Sequence, residues 1–171
     1  MKTSNTGIKL IIHYEGLNDG DLTEIGLQPK MDVSSIWTVA YGRALKDLDG
    51  SWLKGIAGYK RLLEIYPDLE TLTIDEAIEM LNDDLVPREK QLNSLKLNLN
   101  QNQFDSLISF IYNCGFENFK SSTLLKRIKS GIGSIEDAFM MWVKSDGKTY
   151  PGLIARRKTE STLFITGNLV F

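Results

Sequence analysis

Apolar positions recur at helical spacing near the start of the chain, at Ile8, Ile11 and Ile12, and Glu15 continues the same face three and four residues later. The pattern predicts a helix from Thr3 or Ser4, either of which can cap it, to Glu15, with Gly16 suited to the left-handed stop. Residues Gly16 to Lys30 are rich in Gly, Asn and Asp and read as a loop. The β-branched and aromatic run Ile36 to Tyr41 reads as a strand ending near Gly42, Asp49-Gly50 as a turn, and Ser51-Trp52-Leu53 as a further short strand.

Beyond this the periodicity is helical. Lys54 to Tyr66 reads as a helix stopped by Pro67, and Thr73 with Glu76 forms a capping box that opens a long helix through Ala77, Met80, Leu81 and Leu85, which Pro87 kinks or interrupts. Asn100 with Gln103 is a second box, leading into Phe104, Leu107, Ile108, Ile111 and Tyr112. Ser121 or Ser122 caps the next helix, Ser134 another, and a last helix begins near Pro151 and ends at Gly167. The fold class is therefore α+β: one domain over residues 1–171, with a small N-terminal sheet lobe (1–72), a larger helical lobe (73–171) and a cleft between them able to take a polymer.

A chain of 171 residues, 42% of them hydrophobic, is long enough to bury a sizeable core. Its formal charge of -2 is unevenly spread: residues 1–100 carry 11 basic and 16 acidic side chains, net -5, while 101–171 carry 9 and 6, net +3. That lacks the marked basic excess of a dedicated nucleic-acid binder. The single cysteine, Cys114, allows no intrachain disulfide and no zinc-type cysteine spacing. The opening residues have no signal-peptide layout, and Ile8 to Ile12 is too short to span a membrane.

Glu15 is the residue whose local setting points to chemistry. A carboxylate on an apolar face, in the last turn of a helix where the carbonyl ends disfavour negative charge, is pushed toward its protonated form, as a general acid requires. The bland alternative, a helix-end glutamate half exposed or paired to an arginine, fits this segment equally well.

Several stretches together resemble one family. Tyr14-Glu15-Gly16-Leu17, Asp32 and Thr38 in an Asp-x5-Thr pattern, and Val39-Ala40-Tyr41-Gly42 look like the catalytic segment of phage-type lysozymes, glycoside hydrolase family 24. So do Asn100 to Leu107, Tyr112-Asn113 with Gly115, Phe119 with Ser121 to Leu125, and Trp142 followed by Pro151-Gly152-Leu153, Arg156-Arg157 and Glu160. The resemblance runs in order along nearly the whole chain. It implies a lysozyme-like fold and hydrolysis of the β-1,4 bond between N-acetylmuramic acid and N-acetylglucosamine in peptidoglycan. By the family's pattern Glu15 is the proton donor, Asp32 the second carboxylate, and Thr38 the hydroxyl that holds the attacking water. Tyr112, Asn113 and Ser122 match positions on the sugar-binding side of the cleft. No cofactor or metal is implied. The implied setting is a monomeric phage or prophage endolysin, made in the host cytoplasm without a signal peptide, released through a holin-type partner, and acting on the glycan strands of the wall without inserting into the membrane.

The chain departs from the family's pattern in places. Sixteen residues separate Glu15 from Asp32, so the loop Leu17 to Met31 is enlarged, and Asp19 and Asp21 stand as alternative second carboxylates, although neither has a threonine six residues on. Ser35 and Ala40 stand where glycines are common, and Arg43 where histidine is frequent. Arg156 or Arg157 pairs with Glu15 or with a surface acid; Trp37, Trp52 and Trp142 stack on sugars or fill the core; His13 is structural or on the surface. Two other functional readings stand beside the muramidase: a catalytically weakened lysozyme fold serving as a wall-binding module, and a related glycosidase acting on chitin-like polymer or in interbacterial killing.

Overall fold

The structure is a computed structural model that describes residues 1–20, 26–32, 34–69, 72–145 and 147–171. The chain divides into two compact units, one formed by Met1–Tyr14 with Leu85–Phe171 and the other by Glu15–Asp84. The first helix, but for its last residue, groups with the C-terminal residues.

In the unit built from the two ends, α1 (Asn5–Glu15) contributes all but its last residue. Ser4 caps it, its hydroxyl accepting the Thr6 N–H at 3.2 Å. The buried face is Gly7, Leu10 and Ile11, whereas Ile8 and Ile12 are half-buried, so the face is rotated from the one read on the isoleucines. Gly7 explains the rotation. A Cβ there would stand 2.6 Å from Thr3 Cγ2 and 3.0 Å from Asp105 Cβ, so only glycine lets this side of the helix approach so closely.

Asp105 belongs to α4 (Gln101–Cys114), opened by the expected Asn100–Gln103 capping box. Every residue from Phe104 to Ile111 is buried, the mark of a helix surrounded on all sides. Its polar members are satisfied: Asp105 accepts the Ser4 N–H at 2.9 Å, and Ser106 donates to the Glu160 carbonyl at 2.7 Å. Against α4 packs α8 (Pro151–Thr166), closed by Gly167 as its left-handed cap, and α7 (Ile135–Met140), capped by Ser134, packs on α8. Phe110 meets Phe119, Phe139 and Trp142 edge-on. Three elements of this unit were not legible in the sequence: α5 (Phe116–Ser121), which precedes α6 (Thr123–Ser130), and the two-residue hairpin strands β4 (Lys144–Ser145) and β5 (Lys148–Thr149).

The unit 15–84 holds an antiparallel sheet in the order β1 (Lys30–Met31), β2 (Trp37–Val39), β3 (Arg43–Ala44). β1 lies at the end of the stretch read as loop. The Ser51–Leu53 segment is not a strand of its own; Trp52 forms a single bridge with Lys46 across the Asp49-Gly50 turn. The expected helix after it is α2 (Gly55–Ile65), against which Trp37 is fixed by its indole N–H to the Gly55 carbonyl at 2.7 Å and by contact with Tyr59. Leu27, Val39, Leu45, Leu53, Leu62 and Leu81 are among the buried apolar residues here.

α3 (Ile74–Ser94) opens with the Thr73–Glu76 box, Thr73 Oγ1 accepting the Glu76 N–H and Glu76 Oε2 the Thr73 N–H. It continues through Pro87 without interruption, so the chain passes from one unit to the other between Asp84 and Leu85 inside a single helix. Among the described residues no helix is long and apolar enough to cross a membrane.

Candidate active site

Glu15, Asp32 and Thr38 all fall in the unit 15–84. Glu15 ends α1 and is half-buried, and Gly16 follows at φ 68°, turning the chain away from the helix axis. Its carboxylate lies against the backbone beyond β2: a Cβ on Gly42 would stand 3.7 Å from Glu15 Oε2. Gly42 has φ 84°, a left-handed conformation that side-chain-bearing residues resist, and anything longer than a methyl group there would reach the carboxylate.

Asp32 follows β1 directly and organises the turn into β2. Its Oδ1 accepts the N–H groups of Ser34 and Ile36, both at 2.8 Å, while its own N–H donates to the Ile36 carbonyl at 2.8 Å. These bonds hold an exposed carboxylate in one orientation, with Oδ2 taking no hydrogen bond among the described residues. Thr38 pairs with Lys30 across the hairpin, and Asp32 stands two residues beyond Lys30 at the start of the turn that joins β1 to β2. Thr38 is 8% exposed, and its hydroxyl donates to the Lys30 carbonyl at 2.9 Å.

The enlarged loop is tied down at both ends. Asn18 bridges to Ala40, Gly20 donates to the Gln28 carbonyl, and Asp19 Oδ1 accepts the Gln28 N–H at 3.2 Å, so Asp19 braces the loop from inside. Asp21 lies outside the described residues. Asn18 is the residue that sequence reasoning missed: its amide Nδ2 donates to Thr38 Oγ1 at 3.4 Å, a contact for which no local pattern gives a signal.

Ser35 and Ala40, the two positions lacking the common glycine, sit at φ 61° and 54°, in the region that glycine occupies without strain. Arg43, in the place of a frequent histidine, donates from Nε to Asp84 Oδ2 at 3.0 Å and from Nη2 to the Met80 carbonyl, clamping β3 to α3. Tyr41 is buried, and burial pushes its hydroxyl above its ordinary range.

Tyr112, Asn113 and Ser122 lie in the other unit. Tyr112 is half-buried with the Arg88 guanidinium 4.5 Å from its ring centre. Asn113 is exposed, its Oδ1 accepting from Arg157 Nη2 at 2.6 Å. Ser122 is buried and committed to its helix end, accepting the Leu125 N–H at 3.0 Å and donating to the Phe119 carbonyl at 2.6 Å. Arg156 and Arg157 both engage Glu160, and all three are buried, so their shared partner is a core acid and not a surface one. Trp37 and Trp142 pack against aromatic neighbours, Trp52 is exposed under Lys46, and His13 is exposed and stacked on Phe171.

A family model described as Phage lysozyme matches residues 22–160. The chain belongs to the phage lysozyme family. It is 32% identical over 169 residues to the endolysin of Bacillus phage PZA, which covers 98% of this chain and 56% of that protein. It is likewise 32% identical over 160 residues to the SAR-endolysin of bacteriophage PS119, with 92% and 84% covered. The chain thus spans a little over half the length of the PZA endolysin and most of the PS119 protein. Among solved structures it is similar to a P22 lysozyme mutant (TM-score 0.70, 30% identity, 97% and 99% covered) and to the muramidase domain of SpmX from Asticaccaulis excentricus (TM-score 0.70, 29% identity, 96% and 98% covered). These likenesses accord with the α+β lysozyme-like fold read from the sequence.

Proposed function

We propose that this chain is a peptidoglycan-hydrolysing endolysin, and that it cuts the β-1,4 bond from N-acetylmuramic acid to N-acetylglucosamine with Glu15, Asp32 and Thr38. The observation that carries the reading is the arrangement at β2. Asp32 opens the turn between β1 and β2, Thr38 sits in β2 opposite Lys30, and the Glu15 carboxylate lies against Gly42, four residues beyond Thr38 on the same stretch of chain.

Glycoside hydrolysis needs a carboxylic acid to protonate the leaving oxygen and a carboxylate to activate water or support the oxocarbenium-like centre. Glu15 takes the first role. Asp32 takes the second, its turn holding one oxygen while the other remains for the substrate side. Thr38 positions the attacking water, which gives inversion at the anomeric carbon. Tyr112, Asn113 and Ser122 are carried over as sugar-binding residues on family resemblance alone. For Ser122 the hydroxyl proton is committed to the Phe119 carbonyl and one lone pair to the Leu125 N–H, so the hydroxyl could only accept from a sugar and not donate to it.

The test compares Glu15→Gln, Asp32→Ala and Asp19→Ala on permeabilised bacteria by loss of turbidity, with circular dichroism to establish folding. The first two should lose activity by orders of magnitude and the third should retain it. Lysis by Glu15→Gln near the wild-type rate would remove the acid from the mechanism, and a larger loss in Asp19→Ala than in Asp32→Ala would move the second carboxylate into the enlarged loop. Mass spectrometry of digested sacculi should find N-acetylmuramic acid at the new reducing ends. Binding to sacculi without release of sugars would favour a wall-binding module instead.

A further inference from the structure

We infer that Asn18 is a positioning residue for the reaction, setting the Thr38 hydroxyl so that it accepts a hydrogen bond from the attacking water; this rests on the reading of Thr38 given above. A threonine hydroxyl has one proton to donate and two lone pairs to accept with. Here the proton goes to the Lys30 carbonyl at 2.9 Å, and one lone pair takes the Asn18 Nδ2 proton at 3.4 Å. The hydroxyl is left with a single acceptor direction. Water held by that lone pair donates a proton to Thr38 and keeps its own lone pair for the sugar carbon, as an attacking nucleophile must.

The backbone of Asn18 is fixed by the same strand. Its N–H donates to the Ala40 carbonyl at 2.8 Å, two residues along from Thr38, so one residue of the loop touches the same strand through backbone and side chain. Ala40 holds φ 54° at that point, a left-handed conformation that an alanine keeps only where its surroundings demand it. The amide bond to Thr38 is long, which is usual for catalytic hydrogen bonds before substrate binds.

The test is a double-mutant cycle on peptide-free glycan strands of alternating N-acetylglucosamine and N-acetylmuramic acid, measuring kcat and KM for Asn18→Ala, Asn18→Asp, Thr38→Ala and both double variants, with Tm for each. Asn18→Ala should lower kcat roughly tenfold with KM and Tm little changed, because it loosens the hydroxyl without removing it. Asn18→Asp should lower kcat further, since a carboxylate would draw the Thr38 proton away from Lys30 and turn the free lone pair aside. In the Thr38→Ala background neither change at position 18 should move kcat by more than about twofold. Losses that multiply independently in the double variants, or wild-type kcat in Asn18→Ala, would overturn the inference. Wild-type kcat in Thr38→Ala itself would mark the failure of the parent reading, a separate result read from a separate variant.

Discussion

Removing Glu160 should destabilise the protein strongly. Glu160 and Arg157 are fully buried and Arg156 is 3% exposed, so one carboxylate answers two guanidinium groups inside the core. Arg156 Nε donates to Glu160 Oε1 at 3.1 Å, Ser109 Oγ donates to the same oxygen at 2.7 Å, and Arg157 Nη1 stands 3.1 Å from Oε2. That last contact is an ion pair without hydrogen-bond geometry, and Arg157 Nε and Glu160 Oε2 have no hydrogen-bond partner among the described residues. Arg157 therefore leans on the charge of Glu160 and on Asn113.

Glu160→Ala leaves both arginines buried without their carboxylate, which costs about 3–5 kcal/mol for a broken buried pair. Against a typical total of about 5–15 kcal/mol this is a large fraction. For a chain of this size it lowers Tm by about 2–4 °C per kcal/mol, so roughly 6–20 °C in all. Urea unfolding followed by circular dichroism measures the free energy by linear extrapolation. Glu160→Leu with Arg156→Met and Arg157→Met, which removes all three charges, should recover much of the loss because well-packed apolar replacements of buried ionic groups are near neutral. A loss below about 1 kcal/mol in Glu160→Ala would refute the reasoning, since it would mean that the arginines find water or another acid at little expense.

Ser35→Gly should stabilise the fold by about 0.5–1 kcal/mol by relieving a left-handed conformation at an exposed site, whereas Ala40→Gly should be near neutral because the buried methyl it removes offsets the relief; urea midpoints separate the two. Arg43→His should make stability pH-dependent. A histidine facing Asp84 has a raised folded pKa, so its contribution is full below the unfolded value of about 6.5 and is lost as pH rises through the folded value, while arginine stays charged throughout. Thermal melts from acid to mildly alkaline pH should therefore show the variant falling further below wild type as pH rises, and a constant gap would contradict this. Cys114 should react slowly with a disulfide reagent at mildly alkaline pH in the folded protein and rapidly in urea, because burial, the main influence, pushes its thiol up and starves it of thiolate. Equal rates in both states would refute that.

The helix boundaries could be read from the chain because the interactions that set them are local. Thr73 with Glu76, Asn100 with Gln103, Ser122, Ser134 and Gly167 each act within three or four residues, and the structure has each of them at a helix end. Glu15, Asp32 and Thr38 could be picked out as a set only through their order and spacing, which a family resemblance interprets. The short strands could not be read: Lys30–Met31 and Arg43–Ala44 have two residues each, too few for alternation to show, and exist because β2 offers them hydrogen-bond partners. The buried face of α1 was decided by Gly7 against Asp105, a contact across 98 positions of sequence. The acid that Arg156 and Arg157 share sits three and four residues on and was in plain view, but that it is buried depends on α4 packing against α8. The tie from Asn18 to Thr38 spans 20 residues through a loop with no periodicity at all. Chain-local energetics leave such pairings open, and only the folded backbone brings the two side chains within reach.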